Sequence, residues 1–326
     1  MPTCKPQTVT GNRLLHRPPT NSGKHKPKRM TSLRHFQLIA AVLGFFIPTQ
    51  LSAEPLELLS WNIEWFPGGN PKPKEGEKEK QTKLVAEQLA AIQPDILLAQ
   101  EIIDEMAFEK VVSSMPGKLT VHVCSRFVNH ESNDLPPQQV AIASNLTADS
   151  AFFENFKAGA DLVHPPRGFA FAALNHPDGG LIMVYSVHLK SNRGSETPEG
   201  EQGVASMRAE SARQLLSHKA EMEKRYAGRK IMGWLIGGDF NTNHDGQFPK
   251  CTAVADLLEG GYRNTWDKTP KEQRLTWHTN PFAPQFKPTT FDYILTIGFK
   301  ETQAKVIPVP REASDHDAVS IMLEPE

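Results

Sequence analysis

From residue 54 onward, short apolar blocks alternate with polar stretches at the spacing of an α/β protein. The blocks predict strands at 56–61, 95–100, 139–144, 168–174, 181–187, 231–238, 291–297 and 317–323. Helical periodicity predicts helices at 80–92, 104–114, 205–226 and 251–259. In the longest of these, Met207, Ser211, Leu215, His218 and Met222 recur at intervals of three to four, with Arg213, Lys219 and Glu223 among the polar positions. Segments 67–79 and 192–203 read as solvated, mobile loops from their Gly and Glu, with Pro and Lys in the first and Ser in the second. Segment 264–290 is long and mostly polar, with Trp266, Trp277, Phe282 and Phe286 spread through it. A loop of that length in a compact domain is usually functional or disordered. No repeat and no strong composition break divides 54–326, which reads as one domain.

Ahead of that domain the pattern changes. Residues 1–29 are polar and basic with no apolar periodicity, and Met30 then opens a short basic stretch that leads into an apolar run from Leu38 to Ile47. The run is too short for a transmembrane helix, which needs about 20 apolar residues, and Leu51-Ser52-Ala53 offers a small-residue exit before Glu54. Basic start, short apolar centre and small-residue exit are the marks of a secretory signal peptide. The expectation is therefore an upstream extension over 1–29, a signal peptide over 30–53, and an exported domain over 54–326 without a transmembrane anchor.

Removing the leader alters the charge. The whole chain holds 36 Lys and Arg against 37 Asp and Glu, and the eight basic residues of 1–53 have no acidic counterpart, so the remainder carries 28 basic against 37 acidic residues. An acidic surface does not favour indiscriminate duplex binding, which depends on phosphate neutralisation. A bound cation could still supply local positive charge. Outside the leader only Cys124 and Cys251 remain, a pair that allows one disulfide or two separate thiols, with no zinc-like spacing.

The chemically capable residues gather at strand ends. Predicted strands run into Asn62 and Glu64, into Glu101, into His188 and Lys190, and into Asp239 and Asn241, while Asp292 begins one strand and Asp315-His316 precede the last. In open α/β sheets, ligand crevices form beyond strand ends. Each residue alone has an ordinary explanation: Asp239 and Asn241 as turn formers, Glu101 as a helix cap, His316 as a core histidine. As a set, chance placement is the weaker account. Glu64, Glu101 and Asp315, with the amide oxygen of Asn62, make an oxygen-rich group suited to a hard cation such as Mg²⁺, Mn²⁺ or Ca²⁺. Asp239 could take a proton from an attacking water, Asn241 could orient it, and an Asp292–His316 pair would keep an imidazole cationic near a phosphate.

The ordered set Trp61-Asn62-Ile63-Glu64, Gln100-Glu101, His188-Leu189-Lys190-Ser191, Gly238-Asp239-Phe240-Asn241, Phe291-Asp292-Tyr293 and Ser314-Asp315-His316 resembles the endonuclease/exonuclease/phosphatase superfamily, the deoxyribonuclease I-like enzymes. The resemblance runs from about 56 to 322. It implies a four-layer sandwich of two packed mixed sheets flanked by helices, with the site at one end. It also implies Glu101 as the main metal ligand, helped by Asn62, Glu64 or Asp315, and Asp239 as the group that activates water. Asn241 and His316, the latter backed by Asp292, would contact the scissile phosphate, and His188 would stand near the leaving group as an electrostatic stabiliser. Lys190 and Arg208, and more weakly Arg167, are candidate phosphate contacts.

The expected function is thus an exported, divalent-metal-dependent phosphoesterase acting on phosphodiester bonds, with endonuclease first and sugar-phosphate, inositol-phosphate or phospholipid hydrolysis as alternatives. Gly-Asp-Phe-Asn is not the Gly-Asp-x-His of His-rich two-metal enzymes, and there is no His-Glu-x-x-His of a zinc peptidase. A binding module that keeps the fold without the chemistry is disfavoured by the intact set. A phosphate ester, with nucleic acid among the candidates, is the expected partner, and no feature announces a stable protein partner.

Overall fold

The computed structural model describes residues 54–128, 135–159, 162–278, 287–300 and 302–326. The expected leader segments 1–29 and 30–53, and the aromatic positions Phe282 and Phe286, lie outside the described residues.

The first strand shows how the sequence sets the layers. In β1 (Leu56–Phe66) side chains alternate between the two faces. Leu56 and Leu58 belong to one buried cluster, whereas Leu59, Trp61 and Ile63 belong to a second. A strand apolar on both faces has to be covered on both, and the remaining elements supply the cover. After β1 come α1 (Glu77–Ile92), β2 (Ile96–Ile102), α2 (Glu105–Ser113), β3 (Thr120–Cys124) and β4 (Gln139–Ser144). Then follow β5 (Ala148–Asn155), β6 (Gly168–Asn175), β7 (Leu181–His188), α3 (Pro198–Arg225), β8 (Ile231–Asp239) and α4 (Ala253–Glu259). The chain closes with β9 (Arg263–Asn264), β10 (Asp292–Ile297), β11 (Lys305–Ile307) and β12 (Ala318–Leu323).

The strands form two six-stranded mixed sheets, ordered β11-β12-β1-β2-β4-β3 and β5-β6-β7-β8-β10-β9. Among the described residues only β1–β2 and β7–β8 pair in parallel; each such pair is spanned by a helical crossover, α1 for the first and α3 for the second. Val85 and Leu89 of α1 and Phe108, Val111 and Val112 of α2 cover the Leu59–Trp61 face. Leu98 and Ile142 of the first sheet share a cluster with Val184, Ile236 and Ile294 of the second, and that cluster extends to Ala212, Leu215 and Leu257 of α3 and α4. The result is the expected sandwich of helices, two sheets and helices. The sheets approach closely at Gly237, where a Cβ would stand 2.5 Å from Leu98 Cδ1.

Every predicted strand and helix is present, with ends shifted by a few residues. Four strands, β3, β5, β9 and β11, do not announce themselves in the apolar pattern. The longest helix starts at Pro198 rather than 205, so half of the expected loop 192–203 is helical. The Thr197 hydroxyl caps it by accepting from Gly200 N at 3.1 Å, and Pro198 fits the first helical position because its missing N–H costs nothing there. Among the described residues no helix is long and apolar enough to cross a membrane. Cys124 and Cys251 are free thiols.

Candidate active site

Sheet register assembles the site. On the second sheet, His188 pairs with Asp239 across β7–β8, and Asp239 pairs with Asp292 across β8–β10. On the first, Asn62 pairs with Gln100, one residue before Glu101. The strand before Asp239 requires glycine: Gly238 has φ 148°, and a Cβ there would lie 1.9 Å from Val187 O. Glu64, Glu101 and Asn241 take left-handed conformations at φ 43°, 63° and 52°. Such backbone is uncommon outside glycine and concentrates at functional sites.

Asp239 is the hub. Its Oδ1 accepts from the Asn241 N–H at 2.7 Å, and its Oδ2 accepts from Nδ2 of both Asn62 and Asn241 at 3.1 Å. The same Oδ2 lies 3.5 Å from His188 Nε2 and 3.8 Å from His316 Nε2. On its far side His316 is held through Nδ1 by Asp292 Oδ2 at 2.8 Å. His188 Nε2 also lies 3.8 Å from Glu101 Oε1. Burial raises the Asp239 carboxyl to about 7, against the opposing pull of His316 and with help from Asp292. Burial alone would discharge His316, but the fields of Asp292, Asp239 and Asp315 outweigh it and hold the imidazole well above its ordinary value. These neighbours favour its charged form.

The three carboxylates proposed as metal donors line the same cavity, of about 470 Å³, as Asp239, His188 and His316. Glu101 Oε1 accepts from Asn62 Nδ2 and Oε2 from Trp65 N, both at 3.1 Å. Glu64 Oε2 accepts from Asp315 N at 3.0 Å, and Asp315 Oδ2 accepts from Trp277 Nε1 at 3.0 Å. Burial, then Asp315 and Glu101, push Glu64 up to about 8, and burial with Asp315 raises Glu101. Crowded carboxylates fit a hard divalent ion by donor type. Among the described residues no three acidic, His or Cys side chains already converge as a complete metal cage. The donor set fits an ion that keeps waters and takes one or two carboxylates, as Mg²⁺ does.

Several assignments change on inspection. Asn62 presents its NH₂ to the carboxylates at 3.1 Å, while its amide oxygen accepts from Glu64 N at 3.0 Å; as placed, the nitrogen and not the oxygen faces Glu101 and Asp239. Arg208, expected to touch phosphate, is turned inward. Its Nη1 donates to Lys190 O at 3.1 Å, Asn192 Oδ1 at 3.0 Å and Asn241 O at 2.7 Å. Lys190 Nζ donates to the carbonyls of Ser191 and Arg193 at 3.0 and 2.6 Å. Neither Arg208 nor Lys190 stands in the cavity wall; both brace the loops that carry Asn241 and His188. Arg167 does line the cavity, but its guanidinium donates to His188 O, Leu189 O and Gln138 Oε1 at 3.1, 2.8 and 3.2 Å.

Sequence reasoning missed Gln81. Buried in α1, its Nε2 donates to Ile63 O, Glu64 O and Ala313 O at 2.8, 2.9 and 2.9 Å, tying the exit of β1 to the Ser314–His316 segment. A Gln in a helix that opens Glu-Lys-Glu-Lys-Gln, with Gln88 as a second, gives no sequence signal for that role. Trp266 and Trp277, undistinguished in the sequence, part company here. Trp266 is fully buried and donates to Asp292 O at 3.0 Å, whereas Trp277 lines the cavity.

A four-layer sandwich with carboxylates, amides and a carboxylate-held imidazole at one end of its sheets defines a phosphoester-hydrolysing class. Residues 59–316 match the Endonuclease/Exonuclease/phosphatase family, and the chain belongs to it. No curated protein sequence matches the chain. Among solved structures it is similar to an endonuclease/exonuclease/phosphatase from Beutenbergia cavernae DSM 12333, with TM-score 0.60, 16% identity, and coverage of 84% of this chain and 72% of that one. It is also similar to truncated Caenorhabditis elegans TDP2, with TM-score 0.55, 17% identity and coverage of 82% and 97%. A third likeness is to a mannosyl-6-phosphatase of Bacteroides thetaiotaomicron VPI-5482, with TM-score 0.54, 16% identity and coverage of 82% and 99%. At such identities the likenesses speak to the fold.

Proposed function

We propose that this phosphoesterase is exported, depends on a divalent metal ion, and hydrolyses phosphodiester bonds, with nucleic acid as the first substrate and endonucleolytic cleavage as the reaction. The observation that carries the reading is Asp239 Oδ2 between two imidazoles, 3.5 Å from His188 and 3.8 Å from His316, in the cavity that also holds Glu64, Glu101 and Asp315.

Glu101, Glu64 and Asp315 would hold Mg²⁺ or Mn²⁺. The ion would polarise a phosphoryl oxygen and offset charge as it develops. The protein's own groups do the rest. Asp239, raised to about 7, is matched to accept a proton from an attacking water near neutral pH. Asn241 and Asn62 hold that carboxylate in place. His316, kept charged by Asp292, places a fixed cation beside the phosphate, and His188 adds a second electrostatic contact. Fixed charge in a site shielded from water is the largest lever available for phosphoryl transfer. Phe248, Trp277 and Phe291 line the same cavity and would give a base a flat apolar surface.

A second reading, phosphomonoester hydrolysis, is favoured by Arg193 and Lys287, which also line the cavity and suit the extra charge of a terminal phosphate. The purified 54–326 chain should hydrolyse bis-p-nitrophenyl phosphate with Mg²⁺ or Mn²⁺ and lose that activity in EDTA. Preference for p-nitrophenyl phosphate would select the second reading, and inactivity with every divalent ion, Ca²⁺ included, would defeat both. Parallel assays on plasmid DNA, RNA, inositol phosphates and sphingomyelin rank the substrates. Export is tested by N-terminal sequencing: a mature chain beginning at Glu54 supports it, and a product that retains 30–53 counts against it.

A further inference from the structure

The three carboxylates proposed to hold the metal share a pattern. Each gives one oxygen to an N–H of the protein: Glu101 Oε2 to Trp65 N at 3.1 Å, Glu64 Oε2 to Asp315 N at 3.0 Å, and Asp315 Oδ2 to Trp277 Nε1 at 3.0 Å. A carboxylate pinned through one oxygen is fixed in orientation; in Glu101 the second oxygen also accepts, from Asn62 Nδ2 at 3.1 Å. Two of the three pins are backbone groups that no substitution short of proline removes. The third is a side chain, and it comes from the long segment between β9 and β10, on the opposite sheet from β1 and β2.

Trp277 is itself firmly placed. Its backbone bridges Thr289, with N–H to O distances of 2.9 and 3.0 Å in the two directions, and it forms an isolated bridge with His316. Its ring packs 5.8 Å from Phe291, which in turn lies 6.4 Å from His316. Asp315 is about a third exposed by side chain, against 13% for Glu101, and has the greater need of an external restraint. Its Oδ1, the oxygen left over, lies 4.0 Å from His316 Nε2 and faces the same space.

We propose that Trp277 is a positioning residue that fixes Asp315 as a one-oxygen donor at the metal site, with the indole N–H as the part that acts. This rests on the metal-dependent reading above. Removing the N–H frees Oδ2, lets the carboxylate rotate, and weakens ion binding without removing any ligand. Outer partners of metal ligands are commonly worth about 10–100-fold in affinity or activity.

The test is Trp277→Phe, which keeps an aromatic ring against Phe291 and deletes the donor. Isothermal titration of Mn²⁺ into the metal-free full chain should show the dissociation constant rising about ten-fold. With bis-p-nitrophenyl phosphate, kcat at fixed Mn²⁺ should fall while KM changes less than about two-fold, because the ring that faces the substrate is retained. A double-mutant cycle adds the decisive readout. If Trp277 acts through Asp315, then Trp277→Phe should cost no further Mn²⁺ affinity in an Asp315→Asn background. Unchanged Mn²⁺ affinity in a folded Trp277→Phe protein overturns the proposal and leaves the phosphoesterase reading standing, as does a full additive loss in the cycle. A wild-type chain that binds no Mn²⁺ and hydrolyses nothing overturns both. Should Trp277→Phe not fold, Trp277→His returns a ring N–H and should bind Mn²⁺ more tightly than Trp277→Leu; equal affinities would again overturn it.

Discussion

Asn62 stands between two carboxylates, its side-chain nitrogen 3.1 Å from Glu101 Oε1 and 3.1 Å from Asp239 Oδ2. With His188, whose Nε2 lies 3.8 Å from Glu101 Oε1 and 3.5 Å from Asp239 Oδ2, it joins the proposed metal side of the site, on the first sheet, to the proposed base, on the second. The two acids would otherwise repel across the gap between the sheets, and one amide NH₂ gives each a neutral donor.

Asn62→Ala removes that donor and leaves two buried acceptors facing each other. We expect kcat/KM to fall about 10–100-fold, the range for groups that orient metal ligands. Asn62→Asp should be worse, since it adds a third negative charge to the gap. Steady-state kinetics with bis-p-nitrophenyl phosphate checks both, and near-normal turnover by Asn62→Asp would remove Asn62 from the site's machinery.

The Asp292–His316 pair makes a pH prediction. His316 is raised well above its ordinary value even though burial works against its charge, because Asp292, Asp239 and Asp315 surround it. Asp292→Asn removes the partner at 2.8 Å, so the imidazole should lose its proton at lower pH. The alkaline limb of kcat/KM should shift downward, and the variant should be hurt more at pH 8 than at pH 6. The stability sign follows from linkage: a folded-state value above the unfolded one of about 6.5 gives stabilisation that is complete below about 6.5 and lost as pH rises through the folded value. Asp292→Asn should therefore lower the thermal midpoint most at acid pH. A pH profile that keeps the wild-type shape would refute the pairing.

The residues that gather at this end of the sheets were legible in the chain because acids, amides and imidazoles interrupt apolar runs at strand ends, where hydrophobic patterning has no use for them. That is why Asn62, Glu101, His188, Asp239 and His316 could be read, and why β1, β7 and β8, buried on both faces, were found. β5 was not found: Ala148–Asn155 is an edge strand, mostly half-buried, so nothing forces its positions to alternate. The roles of Arg208 and Lys190 were misjudged for a related reason. A cation near a motif looks the same in sequence whether its charge meets a ligand or the carbonyls of its own loops, and only the fold decides. Gln81 and Trp277 act over 232 and 38 residues of chain, distances at which sequence proximity carries no information.

Arg208 and Asp239 should now behave oppositely. Arg208 is buried, and one of its nitrogens holds Lys190 O, Asn192 Oδ1 and Asn241 O. The shorter side chain of Arg208→Lys would not reach all three oxygens, and each hydrogen bond lost from a charged donor costs about 1.5–3 kcal/mol. The thermal midpoint and the activity should fall together. Asp239→Asn keeps the volume but removes the proton acceptor, so turnover should drop by about two to four orders of magnitude with the midpoint nearly unchanged. Melting curves set beside kcat values separate the two, and an Arg208→Lys protein of normal stability would reverse our account of that residue.

The crowded acids predict how metal, protons and stability are linked. Without an ion, Glu64 is raised to about 8, by burial first and then by Asp315 and Glu101, and Glu101 is raised as well. A carboxyl whose folded value exceeds its unfolded one favours the folded state below the unfolded value and loses that contribution as pH rises through the folded value. For Glu64 the window runs from 4.5 to about 8. Over it, the metal-free chain should lose the share of stability that these acids provide. An ion must displace the protons, so binding should strengthen from pH 6 to pH 8 and release about one proton per ion at neutral pH. Glu101→Gln should raise the metal concentration needed for half-maximal activity and flatten this pH dependence. Titrating Mn²⁺ calorimetrically at pH 7 in two buffers of different ionisation enthalpy measures the release directly. Apparent enthalpies that agree between the buffers, or a Mg²⁺-induced rise in thermal midpoint no larger at pH 8 than at pH 6, would mean that Glu64 and Glu101 do not meet the ion.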